Sequence, residues 1–153
     1  MRYAIAVAAL VGAAGCTDLG PEVVALTDLE EARERWEDAR PSSYVYEIER
    51  LCFCAIEAIG PVRVQVQGSA VVERLYVDSG ATVPPGMAEL FPTVDGLFDI
   101  LASALAGDAH EVRAEYDPNL GVPTEFWIDY IELAADDELG MRVTGEVQVL
   151  GAP

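Results

Sequence analysis

A chain of 153 residues supplies one domain's worth of polypeptide, and 52% hydrophobic against 24% charged residues is enough apolar material for a core. Twenty-seven acidic residues face nine basic ones, all of them arginine with no lysine, for a net charge of −18. Such a surface repels phosphate backbones and excludes nucleic-acid binding, and one histidine with three cysteines leaves little material for metal or acid–base chemistry.

Residues 1–16 read MRYAIAVAALVGAAGC. Arg2 is followed by an apolar run too short to span a membrane, and then by small residues leading to Cys16. This is the plan of a secretory signal. Ala13-Ala14-Gly15-Cys16 resembles the lipobox of bacterial lipoproteins, with Ala13 where leucine is preferred. The resemblance implies cleavage before Cys16 and a diacylglyceryl group on its thiol. It places the protein in the cell envelope, held to the membrane only by lipid, at the outer membrane if the source has two, because Thr17 rather than aspartate follows the cysteine. An ordinary signal and a secreted product form the alternative. The expected organisation is a signal peptide at 1–15, a tether at 16–26 containing Gly20 and Pro21, and one domain at 27–153.

The domain should open with a helix. Thr27 with Glu30, or Asp28 with Glu31, fits a capping box, and Leu29, Ala32, Trp36 and Ala39 form one apolar stripe before Pro41 stops the helix. From Ser43 to Cys54 the pattern alternates, with Tyr44, Tyr46, Ile48, Cys52 and Cys54 sharing a parity. Val62, Val64 and Val66 mark a second strand, and Gly68-Ser69 a hairpin into a third at 70–77. Residues 79–92, rich in Gly and Pro, read as an extended loop. A second helix runs from Thr93 to Gly107 with an apolar face at Val94, Leu97, Phe98, Leu101, Ala104 and Leu105. Strands at 111–116, 124–131 and 141–150 follow, separated by a turn at 117–121 and an acidic loop at 134–140. The expected fold class is α+β, an antiparallel sheet of about five to six strands with two helices packed on one face.

Cys52-Phe53-Cys54 is the most distinctive chemical feature. Cysteines two apart on a strand point the same way, close to the limit for a disulfide, so a bond calls for a local bend. A structural bridge is one reading. A redox-active pair is another, with Arg50 of the same parity near the thiols, although the redox signature of known mechanics is Cys-x-x-Cys. Zinc is a third, but it would need two further ligands, and His110 is the only histidine. His110 is expected to be a half-buried, satisfied side chain. Asp136-Asp137-Glu138, with Asp129 and Glu132 nearby, has hard oxygens suited to calcium without a calcium-loop spacing, and reads as a solvated loop. No nucleophile motif of the Gly-x-Ser-x-Gly kind is present, so no catalytic residue and no cofactor is expected. Trp127 has the opposite parity to Phe126, Ile128 and Tyr130, and should emerge on the other sheet face as a partner contact.

The Trp36 helix, Pro41-Ser42-Ser43-Tyr44, Cys52-Phe53-Cys54, Gly60-Pro61-Val62, Phe91-Pro92-Thr93-Val94, Tyr116-Asp117-Pro118 and Ile128-Asp129-Tyr130 together resemble a bacterial family of small secreted or lipid-anchored domains of unknown function. The likeness runs from Leu29 to about Val143. Ala55 departs from the proline usual after the second cysteine. The resemblance implies no activity, and it makes the cysteine pair and the acidic triplet part of the domain plan. The expected function is a non-enzymatic envelope module that binds a protein or peptide partner; the alternative is a thiol-redox or metal-dependent factor using Cys52 and Cys54.

Overall fold

The computed structural model describes residues 21–107, 109–134 and 137–151, with side chains from Thr27 onward. The signal segment 1–15 and Cys16 lie outside the described residues. Helix α1 spans Pro21–Ala39. Residues 21–26, expected as tether, are therefore helical, and Thr27 lies inside the helix rather than at its cap. The physical reason is that proline's fixed φ suits a first helical position and no breaker follows before Pro41. Leu29, Ala32 and Trp36 are buried as the stripe requires, while Ala39 is exposed at the last position of the helix.

The strands are β1 (Ser43–Leu51), β2 (Val62–Gln67), β3 (Ala70–Tyr76), β4 (Glu111–Tyr116), β5 (Pro123–Asp129), β6 (Leu139–Val143) and β7 (Gln148–Val149). They form one antiparallel sheet in the order β3-β2-β1-β6-β5-β4, with β7 also paired to β1. Gly68 at φ +62° makes the tight turn between β2 and β3, a conformation that L side chains resist. The single closing strand expected at 141–150 is divided in two. Ile48 faces Val143, but Tyr44 faces Val149, so four steps along β1 are matched by six along the partner. The extra length is taken up around Gly145, where the chain leaves the ladder.

Beyond the four-residue helix α2 (Ile56–Ile59), helix α3 (Val94–Ala106) is capped by Thr93, whose Oγ1 accepts from the Gly96 amide at 3.1 Å. The loop before it contains a 3-10 turn at Pro85–Leu90. Leu97, Phe98 and Leu101 of α3 join Trp36 of α1 and the inward residues Tyr44, Tyr46, Ile48, Val62, Val64, Phe126 and Ile128 in one buried cluster. Each such aliphatic or aromatic side chain removed from water contributes about 1.5–3 kcal/mol. Polar contacts orient the two helices. Trp36 packs edge-on against Tyr44 with ring centroids 5.3 Å apart. Its Nε1 donates to Asp95 Oδ1 at 3.3 Å, and Arg40 Nη1 donates to the same oxygen at 2.6 Å. The Tyr44 hydroxyl accepts from the Val94 amide at 3.3 Å, and the Tyr46 hydroxyl donates to the Pro92 carbonyl.

Candidate interaction surface

In a paired sheet, residues directly opposite one another share a face. The register therefore assembles a row on the polar face that reads Arg113, Trp127, Gly140, Leu51 across β4, β5, β6 and β1. The neighbouring row reads Glu115, Glu125, Arg142, Glu49. Trp127 emerges on the face opposite Phe126 and Ile128, as its parity requires, and is half-buried. Gly140 explains how it lies. A Cβ placed there would stand 2.6 Å from Trp127 Cε3 and 2.8 Å from Leu51 Cβ, so the missing side chain leaves room for the indole to lie across the strand toward Leu51. Between the two rows is a depression of about 360 Å³ lined by Arg113, Glu115, Glu125 and Trp127. Ala114 and Phe126, whose side chains belong to the other face, close its floor.

The charges of this face are arranged in short pairs. Arg142 donates through Nε to Glu125 at 2.7 Å and through Nη1 to Glu49 at 2.9 Å. The hydrogen bond from Arg142 holds the Glu125 carboxyl below the usual glutamate range. Arg63 binds Glu47 at 2.8 Å, and Arg113 binds Glu111 at 3.0 Å. Glu115 stands directly opposite Glu125, two like charges in register. Among the described residues no ion pair to Glu115 is formed.

Cys52 and Cys54 are joined by a disulfide with their Cα atoms 5.3 Å apart. The strand does not continue through them, as the alternating pattern suggested. It ends at Leu51, and a bend at Cys52-Phe53 brings the sulfurs together. Cys54 and Phe53 are exposed, and the four-residue helix α2 (Ile56–Ile59) follows. Arg50 is half-buried, and the influences on its guanidinium are its own desolvation, which lowers its pKa, and the Tyr130 hydroxyl, which raises it. β1 and β5 both run antiparallel to β6 between them, so the loops that follow β1 and β5 leave the sheet at the same end. Exposed Phe53, Ile131 and Leu133 lie on those two loops, and exposed Ile56 opens α2 just beyond the first.

The remaining sequence candidates are dispersed. His110 is exposed just ahead of β4 instead of half-buried, because the strand begins only at Glu111. Asp129 Oδ1 accepts from the Ile131 amide at 3.1 Å and so shapes the turn after β5. Asp136 lies outside the described residues. No group of three or more metal-binding side chains occurs among the described residues, and no helix among them is long and apolar enough to cross a membrane. The sequence reading did not reach the seat that Gly140 gives Trp127 or the opposition of Glu115 to Glu125: Gly140 was assigned to the acidic loop, whereas β6 begins at Leu139.

These features define a small α+β domain built on one antiparallel sheet, with an acidic face centred on a tryptophan. Residues 28–147 match the family of unknown function DUF6174, and the chain belongs to that family. No curated protein and no solved structure matches it.

Proposed function

We propose that the protein is a non-enzymatic interaction module of the bacterial cell envelope, anchored by lipid on Cys16, that receives a protein or peptide partner on the sheet face carrying Trp127. The reading takes α1 and α3 as the cover of the other face, which their shared core cluster supports. It takes Cys52-Phe53-Cys54 as a structural motif of the domain, supported by the bridge at the end of β1. The observation that carries it is Trp127 itself, a large aromatic surface held half-open beside a depression and unneeded by the core. A photo-crosslinking residue at position 113 should form discrete adducts in intact cells, lost in a Trp127→Ala background, whereas one at exposed Ser103 on α3 should form none. Equal labelling from both positions would refute the assignment. The anchor is tested separately: the intact mass should carry diacylglyceryl, and Cys16→Ala should abolish it.

The exposure of Cys54 favours a second reading, thiol–disulfide exchange in the envelope. Its test is the reduction potential of the pair. A value below about −300 mV marks a structural bridge and removes the redox role.

A further inference from the structure

We infer that the depression beside Trp127 receives a cationic side chain, an arginine or lysine of a basic peptide segment, stacked on the indole and paired with Glu115 and Glu125. This rests on the interaction-module reading and names the chemistry of its partner.

The first argument is the register. Glu115 and Glu125 occupy directly opposed positions on β4 and β5, an arrangement that costs stability in an isolated sheet. The nearby cations do not relieve it from the β4 side. Arg142 lies on the far side of Glu125, and its guanidinium donates to Glu125 and Glu49. Arg113, the neighbour of Glu115 on the same face, turns to Glu111 instead. A cation entering the depression would stand between two carboxylates that the fold has placed together and left partly uncompensated.

The second argument is the wall of the same depression. Trp127 lines the depression, and of the aromatic side chains tryptophan binds guanidinium and ammonium groups best; its six-membered ring lies over Gly140, where a Cβ would have no room. The depression of about 360 Å³ falls at the lower end of volumes that hold small ligands, roughly 300–1,000 Å³, and suits one long side chain rather than a folded element. The third argument is the whole-molecule field. A net charge of −18 steers basic segments toward the surface and turns away acidic peptides and anionic headgroups.

The test uses the ¹⁵N-labelled full chain and three probe peptides that differ only in the central residues: Ac-Gly-Arg-Gly-Arg-Gly-amide, its citrulline counterpart and its glutamate counterpart. The chain has two tryptophans, and Trp36 is buried with its indole N–H on Asp95, so it serves as a silent internal reference. The arginine peptide should shift the Trp127 indole signal saturably and less so at high salt while the Trp36 signal stays in place, and the other two peptides should move neither signal. Glu115→Gln should weaken the arginine peptide about two- to fivefold. The same substitution removes a like-charge pair, so it should raise the melting temperature while it weakens binding, an opposition that a merely structural role does not produce. An equal response to the citrulline peptide would overturn the cationic assignment and leave the surface assignment standing. So would silence toward all three peptides while position 113 still gives Trp127-dependent adducts. Silence together with absence of those adducts would remove both.

Discussion

Gly121, in the turn between β4 and β5, lies against the backbone of Ala32 in α1: a Cβ built on the glycine would stand 2.0 Å from the Ala32 carbonyl oxygen and 3.1 Å from Arg35 Cβ. Its φ of +76° adds a conformational demand to the steric one. The turn is held in place by Asp117, whose Oδ1 accepts from the amides of Asn119 and Leu120 at 2.9 and 2.6 Å. Gly121→Ala should destabilise the fold by about 2–5 kcal/mol, left-handed strain and overpacking together. Urea unfolding would measure it. A loss within about 0.5 kcal/mol, the ordinary surface range, would show that α1 can lift off the turn without penalty.

Gly140→Ala should be milder and locally readable. The new methyl meets the side chains of Trp127 and Leu51 rather than backbone. The indole should swing outward, its fluorescence shift to the red, and stability fall by about 1–3 kcal/mol. An unchanged Trp127 emission would mean that the ring does not rest on the strand.

The contact among Trp36, Asp95 and Arg40 predicts a coupling. Asp95→Ala leaves the buried indole donor without its acceptor and removes an anion from the first turn of α3, so it should cost about 1–3 kcal/mol. Arg40→Ala should cost less, and a double-mutant cycle between the two should show a non-additive term of about 0.5 kcal/mol or more. Strict additivity would reduce the Arg40–Asp95 ion pair to an exposed contact of no consequence.

Alkaline pH should weaken the fold in a defined window. Burial pushes the hydroxyls of Tyr44 and Tyr116 up to about 12, and that of Tyr46 well above its ordinary value. An unfolded tyrosine loses its proton near pH 10. Between that point and the folded value the unfolded chain binds fewer protons than the native one, so stability, complete below about pH 10, falls as pH rises. The chain has no lysine, which leaves this window largely to the tyrosines. Urea midpoints at pH 9, 10.5 and 11.5 should decline in that order, and a flat series would contradict the burial of these hydroxyls.

Reduction of the Cys52–Cys54 bridge should be tolerated. The bond spans a sequence separation of 2 residues, so it restrains little of the unfolded chain. Loop-closure arithmetic gives about 1–2 kcal/mol. Calorimetry of oxidised and reduced protein should show one cooperative transition in both states, displaced by a few degrees. Loss of the transition on reduction would mean that the bridge organises more than its own bend.

Much of this molecule was legible from local pattern. Alternation places Tyr44, Tyr46 and Ile48 inward and Trp127 outward because a strand's faces depend only on its own residues. Thr93 and the spacing of Val94, Leu97, Phe98 and Leu101 likewise specify α3. What the pattern could not supply is register. Glu115 meets Glu125, and Trp127 meets Gly140, only once β4, β5 and β6 have paired, and no single strand encodes that choice. The start of α1 was misplaced for a different reason: Pro21 reads equally as a linker residue and as a first helical residue, and only the helix that follows distinguishes them. The division of the last strand had a visible cause in Gly145, but two extra residues opposite β1 become apparent only when both ladders are aligned.

The contact of Gly121 with Ala32 fixes more than a turn. It joins the second half of α1 to the end of the sheet where β4 finishes and β5 begins, while Phe53 and Leu133 occupy loops at the opposite end. The helix is thereby seated at the end of the sheet remote from the disulfide bend, so opening that bend leaves the seat in place.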